Sequence, residues 1–150
     1  MALVIVSGAL ATKPFNGGNA WSRLSWVLGL KRLGFEVLFV EQLPPSACMD
    51  AAGGPAPFRD SLNVAYFRDV MERFGLGGRS SLIHEPDGQT EGLPLAELHR
   101  KALGAQMLLN ISGHLTLPQI RDPIPCKVYY DDDPGYTQFW HAMGSDGARL

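Results

Sequence analysis

The chain has 150 residues, 45% of them apolar, and its 13 basic and 15 acidic side chains give a formal charge of −2. That length suits one domain around one core, and that apolar share excludes a disordered chain. The near-balance of charge, with no Lys/Arg run, gives no support to nucleic-acid or membrane-surface binding.

Cys48 and Cys126 stand far apart and neither belongs to a CxxC pair. A disulfide scaffold or a cysteine zinc site needs more than this, so both read as reduced thiols. The opening "MALVIVSGALATKPF" has no basic n-region and too short an apolar run for a signal peptide. No stretch approaches the roughly 20 apolar residues of a transmembrane helix. A soluble, cytoplasmic protein is expected.

In chain order, residues 3–6 are apolar and β-branched and end at Ser7-Gly8, which predicts a strand buried on both faces. The loop "GALATKPFNGG" follows. From residue 19 the period changes: Ala20, Leu24, Val27, Leu28 and Lys31 share a helical face. With Asn19 as N-cap and Gly34 at the C′ position, a helix is predicted over 19–33. "FEVLFV" at 35–40 is a second strand that ends at Glu41. Strand, helix and strand in this order make a βαβ unit and hence a parallel sheet.

Leu62, Tyr66, Val70 and Phe74 recur every four residues, with Asp60 placed as an N-cap, so a second helix runs to the glycines at 75–78. "SSLIH" reads as a short strand and "EPDGQTEG" as a surface loop. Pro94 opens a third helix through Leu95, Leu98 and Ala102. "QMLLNIS" at 106–112 and residues 126–130 are further strands, and a last short helix follows Pro134. The alternation predicts an α/β fold: a Rossmann-like, doubly wound, mostly parallel sheet.

Ligands of such sheets sit outside the C-terminal strand ends. Four segments qualify: Ser7-Gly8, Glu41-Gln42, Ser112-Gly113-His114, and Asp131 to Asp133. In "KPFNGGNAW", Gly17 and Gly18 let backbone N–H groups approach a ligand at a helix start, where a phosphate or sugar hydroxyl could sit beside Asn16 and Asn19. An ordinary turn feeding an N-cap explains the same residues. The loop is neither GxGxxG nor a P-loop. Glu41 suits a ribose-binding acid or a solvated loop carboxylate. His114 suits a general base or a packing histidine.

In an extended strand, Asp131 and Asp133 share a face and Asp132 points to the other. The pair could bind Mg²⁺ with phosphate. Asp133 before Pro134 is equally a helix cap. No His pair has the spacing of a metal site on one element.

Taken together, "VIVSG", "PFNGGNAW", "GLKRLGFEVLFVE", "LLNISGHL" and "VYYDDDPGYTQF" resemble the N-terminal domain of GT-B-fold glycosyltransferases of an uncharacterised bacterial type, over about residues 1–143. The resemblance implies two Rossmann-like domains facing across a cleft, the N-terminal one holding mostly the acceptor. It implies sugar transfer from a nucleotide-sugar donor to an acceptor hydroxyl, with no metal or other cofactor. His114 is then the acid/base candidate and Asp131 the second; Asn16, Gly17, Gly18 and Asn19 assist binding of the donor diphosphate or sugar.

On this reading residues 1–150 are an incomplete N-terminal domain, without the C-terminal donor-binding domain, and inactive alone. The unclosed ending "HAMGSDGARL" points the same way, and an uncovered interdomain face with exposed last strands would favour association. A non-catalytic α/β nucleotide- or sugar-binding module stays open. A haloacid-dehalogenase-like phosphotransferase fits less well, because its Asp-x-Asp strand comes first in the chain and carries Thr or Val where Gly135 stands here.

Overall fold

The computed structural model describes residues 1–85 and 87–144. Six strands form one sheet in the order β4-β3-β2-β1-β5-β6. These are β1 (Leu3–Ser7), β2 (Glu36–Leu43), β3 (Ser80–His84), β4 (Thr90–Gly92), β5 (Met107–Ile111) and β6 (Cys126–Tyr130). All neighbouring pairs are parallel except β3 with β4. The stretch expected as a plain surface loop thus contributes an antiparallel edge strand, β4.

The helices are α1 (Gly17–Arg32), α2 (Leu62–Arg73), α3 (Leu95–Gly104), α4 (Pro118–Arg121) and α5 (Pro134–Ala142). α1 and α2 lie on one face of the sheet and α3 and α4 on the other, each face with its own apolar cluster. Val4, Val6, Val37, Phe39, Leu109 and Ile111 meet α1 and α2 through Leu24, Val27, Phe67 and Met71. Ile5, Leu38, Val40 and Leu108 meet α3 and α4 through Leu98, Ala102 and Ile120. Alternate residues of β1, β2 and β5 therefore serve opposite cores, which is why those strands read as unbroken apolar runs.

Several boundaries differ from expectation for identifiable reasons. α1 starts two residues earlier, because Asn16 and not Asn19 is its cap: Asn16 Oδ1 accepts from the backbone N–H of Asn19 at 3.0 Å. The end is as expected, with Gly34 in the left-handed region at φ 88° and Lys31 and Arg32 in the last turn, where cations suit the helix dipole. α2 is capped by Ser61, whose Oγ accepts from Val64 N at 3.2 Å. Asp60 closes the preceding 3-10 turn, Phe58–Asp60. β2 runs on to Leu43, so Glu41 lies inside the strand and not past its end. The short helix α4 has no counterpart in the sequence reading, and the ending at 145–150 lies outside the described residues.

Candidate functional site at the strand switch point

β1 has β2 on one side and β5 on the other. The loops leaving the C-terminal ends of β1 and β5 therefore diverge and open a crevice at the topological switch point. The loop after β1 is clamped from below. Glu41, fully buried, accepts from Ala11 N at 2.7 Å, Thr12 N at 2.9 Å and Thr12 Oγ1 at 2.8 Å. Asn63 Nδ2 donates to Ala11 O at 2.8 Å and Asn19 Nδ2 to Ala9 O at 2.6 Å. Burial pushes the Glu41 carboxyl above its ordinary pKa, and the hydrogen bonds from Ala11, Thr12 and Leu10 oppose that push. Glu41 is thus committed to its own loop and is not free for a ribose.

The loop after β5 is held as firmly. Ser112 and Gly113 both take left-handed backbone, φ 54° and 68°, unusual for the serine. At Gly113 a Cβ would stand 3.2 Å from the Tyr129 ring, so a side chain there would be both crowded and strained. Asn110 fixes Leu115 through both its N–H and its C=O at 3.0 Å each. Gln42 Oε1 accepts from Thr116 N at 2.5 Å and Leu117 N at 3.0 Å. Between these anchors His114 is exposed by surface area. Enough protein still crowds it that lost hydration, and then the charges of Arg23 and Lys13, hold its pKa below the ordinary 6.5. His114 is therefore a neutral imidazole at neutral pH, able to accept a proton.

The third wall comes from the loop after β6. There Asp132, not Asp131, turns toward α1: it pairs with the buried Arg23 guanidinium and accepts from Ser22 Oγ at 2.8 Å. Asp131 Oδ1 accepts from Asp133 N at 2.9 Å in a local turn. Asp133 occupies the cap position of α5, but its side chain makes no cap bond. The expectation that Asp131 and Asp133 present two carboxylates on one face is corrected by this turn, because the chain has left extended geometry by Asp132. Among the described residues the buried Arg23 Nε has no hydrogen-bond partner.

The structure brings Asn19, Arg23 and Asp132 into one bonded chain, since Arg23 Nη1 also donates to Asn19 O at 3.4 Å, and sets His114 in the field of Arg23 and Lys13. It does not bring Asn16, Gly17 and Gly18 into that chain. They sit exposed at the start of α1, and a Cβ at Gly17 would meet nothing within 4 Å, so no protein contact demands glycine there. A groove of about 490 Å³ between α1 and α2 borders Gly17, lined also by Phe15, Trp21, Tyr66 and Phe74. Its charged members, Asp69 and Arg73, pair with each other at 3.0 Å.

Three contributors were missed: Arg23, Asp132 and Gln42. Arg23 carried a legible signal, since it falls between Ala20, Leu24 and Val27 on the buried stripe of α1, and a buried arginine demands an acid. Away from the crevice, His84 Nδ1 bonds Asp87 at 2.8 Å and its ring stacks on Phe58. Bonds from Gln89 N–H and then His84 lower the Asp87 pKa to about 2. Among the described residues no group of three or more His, Cys, Asp or Glu side chains could hold a metal ion, and no helix is long and apolar enough to cross a membrane. No protein-family model and no curated protein sequence matches the chain.

The His114 assignment makes a first prediction. By histidine-resolved NMR titration, His114 should protonate below 6.5, and Lys13→Ala should move that titration upward by removing a positive neighbour. A group with a depressed folded-state pKa adds stability above its unfolded value that is lost on acidification through the folded value. An unmoved His114 titration in Lys13→Ala would remove the electrostatic part of the argument.

Proposed function

We propose that the chain is the acceptor-side, N-terminal domain of a GT-B glycosyltransferase, working with a nucleotide-sugar and a second, donor-binding domain. The observation that carries this reading is a neutral His114 at the switch-point crevice, flanked by the cations Arg23 and Lys13. Displacing a nucleoside diphosphate by a hydroxyl needs a base for the hydroxyl proton and positive charge near the departing diphosphate. His114 supplies the first. Lys13 and the open N–H groups of Gly17 and Gly18 at the start of α1 contribute to the second. Asn16 and Asn19 fix that helix start, and Asp132 takes the supporting role first given to Asp131. No cofactor beyond the donor substrate enters this reaction.

The test uses the polypeptide that carries this domain together with its donor domain. It is incubated with uridine-, guanosine- and thymidine-diphosphate sugars and a panel of hydroxyl acceptors, and nucleoside diphosphate release is followed. Acceptor-dependent release with at least one donor is expected. Saturable sugar or nucleotide binding without release from any donor would replace the transferase reading by the non-catalytic binding module.

A further inference from the structure

Glu41 and Gln42 are consecutive residues of β2 and both are buried. Side chains alternate along a strand. Val37, Phe39 and Leu43 belong to the core under α1 and α2, and Leu38 and Val40 to the core under α3 and α4. Glu41 follows the first set and anchors the loop after β1. Gln42 follows the second and anchors the loop after β5, which carries His114. Two walls of the crevice are thus fixed from neighbouring residues on opposite sides of the sheet.

The two anchors differ in kind. A carboxylate only accepts, so Glu41 suits its donors whichever way it turns. A glutamine amide accepts on one side and donates on the other, so only one orientation fits. Thr116 N and Leu117 N both require an acceptor, and Gln42 Oε1 meets them. Nε2 then donates to Thr116 Oγ1 at 3.1 Å and to Glu85 Oε1 at 2.7 Å. Both lone pairs of the amide oxygen and both hydrogens of its nitrogen are used. Glu85 is the first residue after β3, and its own N–H donates to Leu43 O at 3.0 Å, which holds it beside β2. In the flipped amide, Oε1 would face the Glu85 carboxylate and Nε2 would face two backbone N–H groups. Such mismatches are costly in a buried side chain.

We infer that Glu85 is a positioning residue of the candidate site. It holds the His114 loop through Gln42, by fixing which side of the amide the loop meets. That loop needs holding, because Ser112 and Gly113 are both in left-handed backbone and such conformations persist only where the surroundings impose them. β5 fixes the loop on one side of His114, and Gln42 fixes Thr116 and Leu117 on the other. Asn110 pins Leu115 by separate bonds. That His114 is the reacting base rests on the transferase reading; the dependence of its loop on Glu85 does not.

The test is amide hydrogen exchange and histidine-resolved NMR on the whole chain, comparing Glu85→Leu and Glu85→Gln with wild type. Glu85→Leu removes the group that sets the amide's orientation. The Thr116 and Leu117 amides should then exchange about tenfold faster, the scale of one hydrogen bond to a charged group, and the His114 ring signals should shift or broaden. The Leu115 amide, which Asn110 holds, and those of β1 should keep their wild-type rates. Glu85→Gln still offers a carbonyl to Gln42 Nε2, so it should stay near wild type in both readouts. Unchanged exchange at Thr116 and Leu117 in Glu85→Leu overturns the inference. So does faster exchange spread equally over Leu115 and β1, which marks general loosening. A Glu85→Gln variant that matches Glu85→Leu overturns it too, because the charge and not the hydrogen bond would then be the agent. None of these measurements requires turnover, so the inference and the transferase reading fail separately.

Discussion

Glu41→Ala is expected to lower unfolding stability by on the order of 3 kcal/mol, measured by urea melts at neutral pH. The carboxylate is buried and holds two backbone N–H groups and one hydroxyl of the loop after β1. Removing it leaves those donors without a protein partner, at about 1–3 kcal/mol for each that stays buried. Ala11 is fully buried, so its N–H cannot turn to solvent. Thr12→Val removes only the hydroxyl bond and should cost about 1 kcal/mol. Glu41→Gln should fall between the two, because one amide face would point a donor at a donor.

The pH dependence gives an independent check. Burial raises the folded-state pKa of Glu41 above 4.5, so its protonated form is favoured by folding. Its linked contribution is therefore fullest below that unfolded value and declines as pH rises through the folded one. The stability gap between wild type and Glu41→Ala should widen on acidification. A gap that narrows would mean that the hydrogen bonds outweigh burial and the shift has the opposite sign.

The layered α/β architecture was legible because β1, β2 and β5 are buried on both faces and α1 shows a change of period at a recognisable cap. The errors came where two residues offered the same chemistry. Asn16 and Asn19 can both cap a helix, and only the path of the loop, pinned by Glu41 and Asn63, decides between them. Ser61 and Asp60 pose the same problem at α2.

The site was legible by position more than by residue. The strand-end rule picked out His114 and the Asp131–Asp133 run, yet extended-strand alternation turned Asp132 to the other face, whereas it pairs with Arg23 on α1. A turn at Asp131 rotates the next residue onto the α1 side, and no local pattern announces it. Gln42 was invisible for a related reason: its partners Thr116 and Leu117 are distant in sequence and meet it only once β5 has crossed to the far side of β1.

In the proposed two-domain transferase, His114→Ala should lower kcat/KM by about 10²–10⁴-fold, the span of a positioned general base, with little change in unfolding stability because the side chain is exposed. Asp132→Asn should act differently. It weakens the pairing with a buried guanidinium, so it should lower stability and, by loosening Arg23, reduce kcat/KM less than the loss of the base. The pH profile separates the two roles. Because Arg23 and Lys13 help hold His114 below 6.5, the acid limb of kcat/KM should lie below that value in wild type. Weakening the Asp132 anion leaves Arg23 less neutralised and should push the limb lower still. His114→Ala should abolish the limb. If the limb survives in His114→Ala, the proton acceptor lies elsewhere and His114 becomes a positioning residue at most.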